Sequence, residues 1–147
     1  MMKHVITACL LSLAALAVQA QTTPAGLWKT VDDDTGKEKS LVRITEAGGV
    51  YTGKVEKLLD PARQDAKCDK CSDERKDQPV LGMTIIRNIK HNAGDATLWD
   101  GGEILDPNNG KTYKLRVKPV DGGQKLEVRG YIGAPLLGRT QTWTRVE

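Results

Sequence analysis

From Gly26 onward the sequence alternates apolar and polar residues with a period of two, and Gly, Asp, Asn and Pro clusters interrupt the alternation at short intervals. A period of two puts successive side chains on opposite faces of an extended chain, so each run reads as a half-buried strand. Eight runs follow: Gly26 to Val31, Ser40 to Thr45, Val50 to Leu59, Met83 to Lys90, Thr97 to Leu105, Lys111 to Pro119, Lys125 to Ile132 and Arg139 to Val146. The turns between them have hairpin chemistry: "DDDTGK", "EAGG", "DPNNGK" and "VDGGQ" supply the Asn, Asp and Gly residues that adopt positive φ cheaply. The fourth run, "GMTIIRNIKH", also fits a short helix.

Short connections in succession imply an all-β, antiparallel up-and-down meander, and eight such strands close into a β-barrel without an exposed edge. The alternation assigns Trp28, Val42, Ile44, Tyr51 and Val55 to the interior, with Tyr113, Leu115, Val117, Leu126, Val128, Ile132 and Trp143. Gly53, Gly101, Gly102 and Gly130 fall inside strands, where glycine marks a bend or bulge. One segment breaks the regularity: Asp60 to Pro79 is 20 residues long and 11 of them are charged. Such a loop is either a solvated excursion at one barrel mouth or a lid or partner-docking element.

The first twenty residues have a short basic start, an apolar run from Val5 to Val18, and small residues around Ala20. This is the pattern of a secretory signal peptide cleaved before Gln21; the run is too short and too interrupted for a spanning helix of about 18 or more apolar residues. Cys9 leaves with it. The expected mature chain, Gln21 to Glu147, is one domain of 127 residues, periplasmic or secreted, with no stable membrane insertion. Its two remaining thiols form the Cys-x-x-Cys pair Cys68 and Cys71. An oxidising compartment favours a disulfide between them, one that closes a small ring, adds on the order of 2 kcal/mol and stiffens the loop locally. The competing readings are a redox-active pair and a metal site. No second Cys pair exists and His91 is the one histidine left, so a four-ligand zinc set lacks members.

The mature chain has near-balanced, interspersed charges, no Phe, and only three Trp and three Tyr, which excludes the basic stripe with stacking aromatics that nucleic acid requires. No nucleophile motif accompanies Ser40, Ser72 or His91, and no spacing singles out a carboxylate pair, so the expectation is not an enzyme, with no cofactor. "DDDTG" faintly resembles a calcium loop, yet it lacks the downstream Glu, and a hairpin explains the same letters.

Gly26-Leu27-Trp28 resembles the Gly-x-Trp that opens the first strand of lipocalins and related calycin barrels, and Arg145 in "TWTRV", or Arg139 upstream, is placed to pack over that Trp. The order of "GLWKTVDDDTGK", "YTGKVEKLL", the Cys pair, "LGM", "GGEILDPNNGKTY" and "LEVRGYIG…GRTQTWTRV" resembles an uncharacterised family of secreted bacterial proteins, DUF 2147, over essentially the whole mature chain. The resemblance implies a lipocalin-like barrel and an exported bacterial protein, and it carries no catalytic residue. Two functions stay open. In one the barrel binds a small apolar or amphipathic ligand, with Tyr51, Tyr113, Tyr131 and Trp143 as candidate wall residues. In the other a filled barrel with its disulfide-pinned charged loop is a structural or interaction module that meets an envelope protein.

Overall fold

A computed structural model describes residues 22–147; the signal-peptide segment expected over the first twenty residues lies outside the described residues. Eight antiparallel strands close into a barrel in sequence order. They are β1 (Gly26–Val31), β2 (Glu38–Ala47), β3 (Val50–Leu58), β4 (Thr84–His91), β5 (Trp99–Asp106), β6 (Lys111–Val120), β7 (Lys125–Tyr131) and β8 (Gly138–Arg145). Each expected run is a strand, its ends displaced by at most two residues, and "GMTIIRNIKH" is strand rather than helix. In this meander the β1–β2, β3–β4, β5–β6 and β7–β8 connections gather at one end. The other three lie at the opposite end with residues 22–25 and the C-terminus.

That second end is closed. Trp28 is fully buried, its indole Nε1 donates to the Pro24 carbonyl at 2.8 Å, and the Arg145 guanidinium lies 4.3 Å above its ring. The same guanidinium donates to the carbonyls of Gly123, Ala25 and Thr23 at 2.5, 3.0 and 3.2 Å. One cation thereby ties the segment before β1 and the β6–β7 turn to the tryptophan face, a cation–π arrangement strengthened by partial burial. Above it Ile44, Ile86, Ile89, Leu115, Val117 and Leu126 fill the lower barrel. Tyr51 packs edge-on against Trp99 with ring centroids 6.3 Å apart, and His91 stacks on the same indole at 4.4 Å.

Two departures from strict alternation have local causes. On β4, Ile85, Ile86 and Ile89 are all buried because the β3–β4 register shifts on either side of Gly53 and Asn88 takes a left-handed φ of 62°. Gly53 is there because a Cβ would meet Ile86 Cβ at 2.8 Å; its missing side chain is replaced by isoleucine. Ile132, expected inside, is 61% exposed: β7 ends at Tyr131 and the following turn carries Ile132 out of the barrel.

The long β3–β4 connection keeps most of its residues exposed but anchors itself to the barrel through a buried disulfide. Cys68 and Cys71 are joined by a disulfide, and both belong to the buried core together with Val80 and Met83. The loop closes on itself through Cys68 N–H to Gln78 O and Asp77 N–H to Cys68 O, at 2.9 and 2.8 Å. It packs on the β5–β6 turn so closely that a Cβ at Gly110 would overlap the Lys70 carbonyl. Arg75, 5% exposed, grips the Asp73 carboxylate with Nε and Nη2 and donates from Nη1 to the Thr84 carbonyl at 2.9 Å. This pair holds the Asp73 carboxyl down at a pKa of about 2, the Arg75 side chain contributing more than its backbone N–H.

Candidate functional site

At the end where β1–β2, β3–β4, β5–β6 and β7–β8 connect, the barrel is hollow: a cavity of about 410 Å³ opens there to solvent. Its apolar wall comes from β3, β4, β5, β7 and β8, namely Val55, Ile85, Leu105, Val128 and Trp143, with Val80 reaching in from the disulfide loop. Tyr113 and Tyr131 also line it, and the Tyr113 hydroxyl accepts from Asn109 Nδ2 at 2.9 Å.

A polar strip faces that wall. Thr30 and Ser40 pair across β1 and β2, and their hydroxyls lie 2.7 Å apart. Both residues are buried and line the cavity. One hydroxyl spends its proton on the other, so the second keeps a proton for something else. On β8 the Gln141 carbonyl accepts from Trp143 Nε1 at 2.9 Å, which fixes the amide and leaves its NH₂ for another acceptor. At the rim stand Lys39, Arg139, Asp33 and Asp106, two cations and two acids, with Arg139 3.9 Å from Asp33. The rim therefore selects neither sign of charge strongly.

The β1–β8 seam is the least tightly paired side of the barrel. Backbone pairing between these strands covers only Trp28 with Arg145 and Lys29 with Thr144, and β1 slips register against β2 at Thr30/Val31. Beyond that point β1 and β8 have no paired residues, and Arg139 and Asp33 approach each other at 3.9 Å across the mouth.

Of the residues singled out from the sequence, Tyr113, Tyr131 and Trp143 meet in this cavity; Tyr51 does not, because it lies with Trp99 in the packed part of the barrel. Arg145, not Arg139, packs over Trp28; Arg139 is a rim residue. The "DDDTG" turn satisfies its own carboxylate, for Asp32 Oδ1 accepts from the backbone of Asp34 and Thr35, both at 2.9 Å. These bonds, Thr35's the stronger, lower its pKa. Sequence reasoning missed Thr30, Ser40 and Gln141. Their signal was present: each falls on the inward phase of its strand, next to Trp28, Val42 and Trp143, where a filled barrel would carry an apolar side chain.

A family model described as an uncharacterized protein conserved in bacteria (DUF2147) matches residues 26–145. Among solved structures, protein HP1028 from Helicobacter pylori, described as belonging to the lipocalin family, matches with a TM-score of 0.72 and 21% identity, covering 84% of this chain and 82% of that one. No curated protein is significantly similar to the chain.

Proposed function

Because the chain belongs to the DUF2147 family and folds as a lipocalin-like barrel, we propose that it is a binding protein whose barrel mouth takes one small amphipathic molecule. The observation that carries this reading is the hollow upper barrel, about 410 Å³ with an apolar wall on one side and Thr30, Ser40 and Gln141 on the other. A volume of this size suits a small ligand, since ligand sites run from about 300 to 1,000 Å³ and combine apolar lining with a few placed polar groups.

The chemistry of the walls describes the ligand. Its apolar body packs against Val55, Ile85, Leu105, Val128 and Trp143, and one polar group with both donor and acceptor capacity, a hydroxyl or an amide, meets the Thr30–Ser40 pair and the Gln141 NH₂. Tyr113 and Tyr131 flank the entrance. The buried disulfide agrees with work outside the reducing cytoplasm, which supports export as part of this reading.

The test is titration of the purified protein with an uncharged hydrophobic fluorophore, N-phenyl-1-naphthylamine. Expected is saturable binding at one molecule per chain, weakened by Gln141→Leu for ligands bearing a hydroxyl or amide and unchanged for purely apolar ones. A filled, non-binding interior, with no saturable uptake of fluorophore, fatty alcohols or quinones, sinks the reading in favour of an envelope interaction module.

A further inference from the structure

Three of the large apolar side chains that the fold leaves outside stand on one turn at the cavity mouth. Ile132 is 61%, Leu136 90% and Leu137 73% exposed, and all three lie in the β7–β8 connection. From Ile132 to Gly138 the sequence is "IGAPLLG", without a single polar side chain. The turn is nonetheless held in one shape: Arg129 Nε donates to the Pro135 carbonyl at 2.7 Å, and Leu137 N–H bonds the Ala134 carbonyl at 2.9 Å. A part-buried arginine contact that holds leucines out to solvent asks for an occupant.

We propose that this turn docks the barrel mouth onto a lipid bilayer, through which the amphipathic ligand enters and leaves the cavity; the exchange rests on the cavity reading above. Three observations select a bilayer over a protein. The patch is a few hundred Å² at most, well short of the roughly 800 Å² per partner that a stable protein interface buries. The turn itself carries no polar side chain with which to build such an interface, the charges beside it being those of the cavity rim, whereas a bilayer needs only apolar tips to enter the headgroup region. Ile132 and Leu137 line the cavity as well as facing solvent, so an inserted turn places the mouth directly against the acyl chains. Finally, Arg139 follows the turn with its side chain 81% exposed, within reach of lipid phosphates.

Leu136 is the residue for the test, because it is the most exposed of the three and does not line the cavity. Purified protein is floated with vesicles of phosphatidylethanolamine and phosphatidylglycerol, and N-phenyl-1-naphthylamine binding without vesicles is measured alongside. Wild type is expected to float, Leu136→Asp to partition about tenfold or more weakly, given that burying one leucine is worth about 1.5 to 3 kcal/mol, and the two to bind the fluorophore equally. Leu136→Trp is expected to show a blue-shifted emission on vesicles. Wild type that stays unbound, Leu136→Asp that floats equally well, or an unshifted Leu136→Trp spectrum overturns the docking. So does a concentration-dependent dimer that Leu136→Asp dissolves, since the occupant is then a second copy. Flotation dependent on Leu136 without any fluorophore binding upholds the docking and refutes the cavity reading instead.

Discussion

Gly130→Leu tests whether the hollow upper barrel is where ligand binds. Gly130 lines the cavity, lies on β7 opposite Leu115 on one side and Arg139 on the other, and has no positive φ among its constraints. A Cβ there would meet Tyr113 Cβ at 3.4 Å and Ile104 Cγ2 at 3.7 Å, so a side chain attaches without displacing backbone and must extend into the cavity. Its four carbons, each taking about the 30 Å³ share of a liquid water, remove roughly 120 Å³, about three-tenths of the 410 Å³ present. A ligand that loses room for four heavy atoms at about 0.3 kcal/mol each loses about 1.2 kcal/mol, or roughly eightfold in Kd. The fold loses nothing by this change, because replacing glycine inside a strand gains about 0.5 to 1 kcal/mol in backbone entropy. Titration with N-phenyl-1-naphthylamine, together with urea unfolding, reads both effects, and Gly130→Ala is the control that adds only the Cβ. If Gly130→Leu binds within twofold of wild type while remaining fully folded, the fluorophore sits elsewhere and the volume argument fails.

Trp28→Ala is expected to lower stability by about 3 to 5 kcal/mol in urea unfolding, with Arg145→Ala costing a smaller but measurable share; a loss under 1 kcal/mol for Trp28 would contradict its role as the closed end's anchor. The intact mass of protein from the periplasm should begin at or near Gln21, with Cys68 and Cys71 resisting alkylation until reduced, and replacing both cysteines by alanine should weaken but not abolish folding. Acid should loosen the disulfide loop. Asp73 is held below the ordinary 3.8 at about 2, so its pairing with Arg75 stabilises the fold fully above the unfolded carboxylate value and is lost as pH falls from about 4 through 2. Reduction of Cys68–Cys71 by a phosphine is expected to accelerate over that window, and Asp73→Asn to show the faster rate already at neutral pH.

The barrel was legible in the sequence because its determinants are local. Alternation fixes which face of a strand is buried, and turns such as "DPNNGK" fix where each strand stops, so register follows without knowledge of distant residues. Where distant residues decide, the reading ran out. Nothing in "DAKCDKCSDE" announces that Cys68 and Cys71 are buried, because the surface that buries them is the β5–β6 turn, nearly forty positions later. The alternation of β7 runs on through Ile132 in the sequence, but the strand ends at Tyr131 and the turn that follows leaves Ile132 largely exposed. Tyr51 and Tyr113 both read as inward aromatics; their different depths follow from the meander, since Tyr51 stands next to the β2–β3 turn at the closed end and Tyr113 next to the β5–β6 turn at the open end.

The hollow itself required three dimensions, but the sequence explains how the protein tolerates it. A dry apolar void of 410 Å³, at about 24 cal/mol per Å³, would cost about 10 kcal/mol, which is most or all of the stability of an ordinary domain. The barrel avoids that cost in two ways. Its lower half is packed solid around Trp28, Ile86, Leu115 and Leu126, so the hydrophobic stabilisation does not depend on the upper half. Its upper half opens to solvent and sets Thr30, Ser40 and Gln141 on one wall, which gives water enough hydrogen-bonding partners to occupy the space. The same polar strip that makes an unliganded cavity tolerable then sets the requirement on what replaces the water: a ligand must satisfy the hydroxyl pair and the amide, or leave them buried without partners at about 1 to 3 kcal/mol each. Replacing Thr30 by Val and Ser40 by Ala should accordingly shift preference from hydroxylated ligands to plain hydrocarbons, and the sign of that shift follows from the wall, whatever the ligand's name.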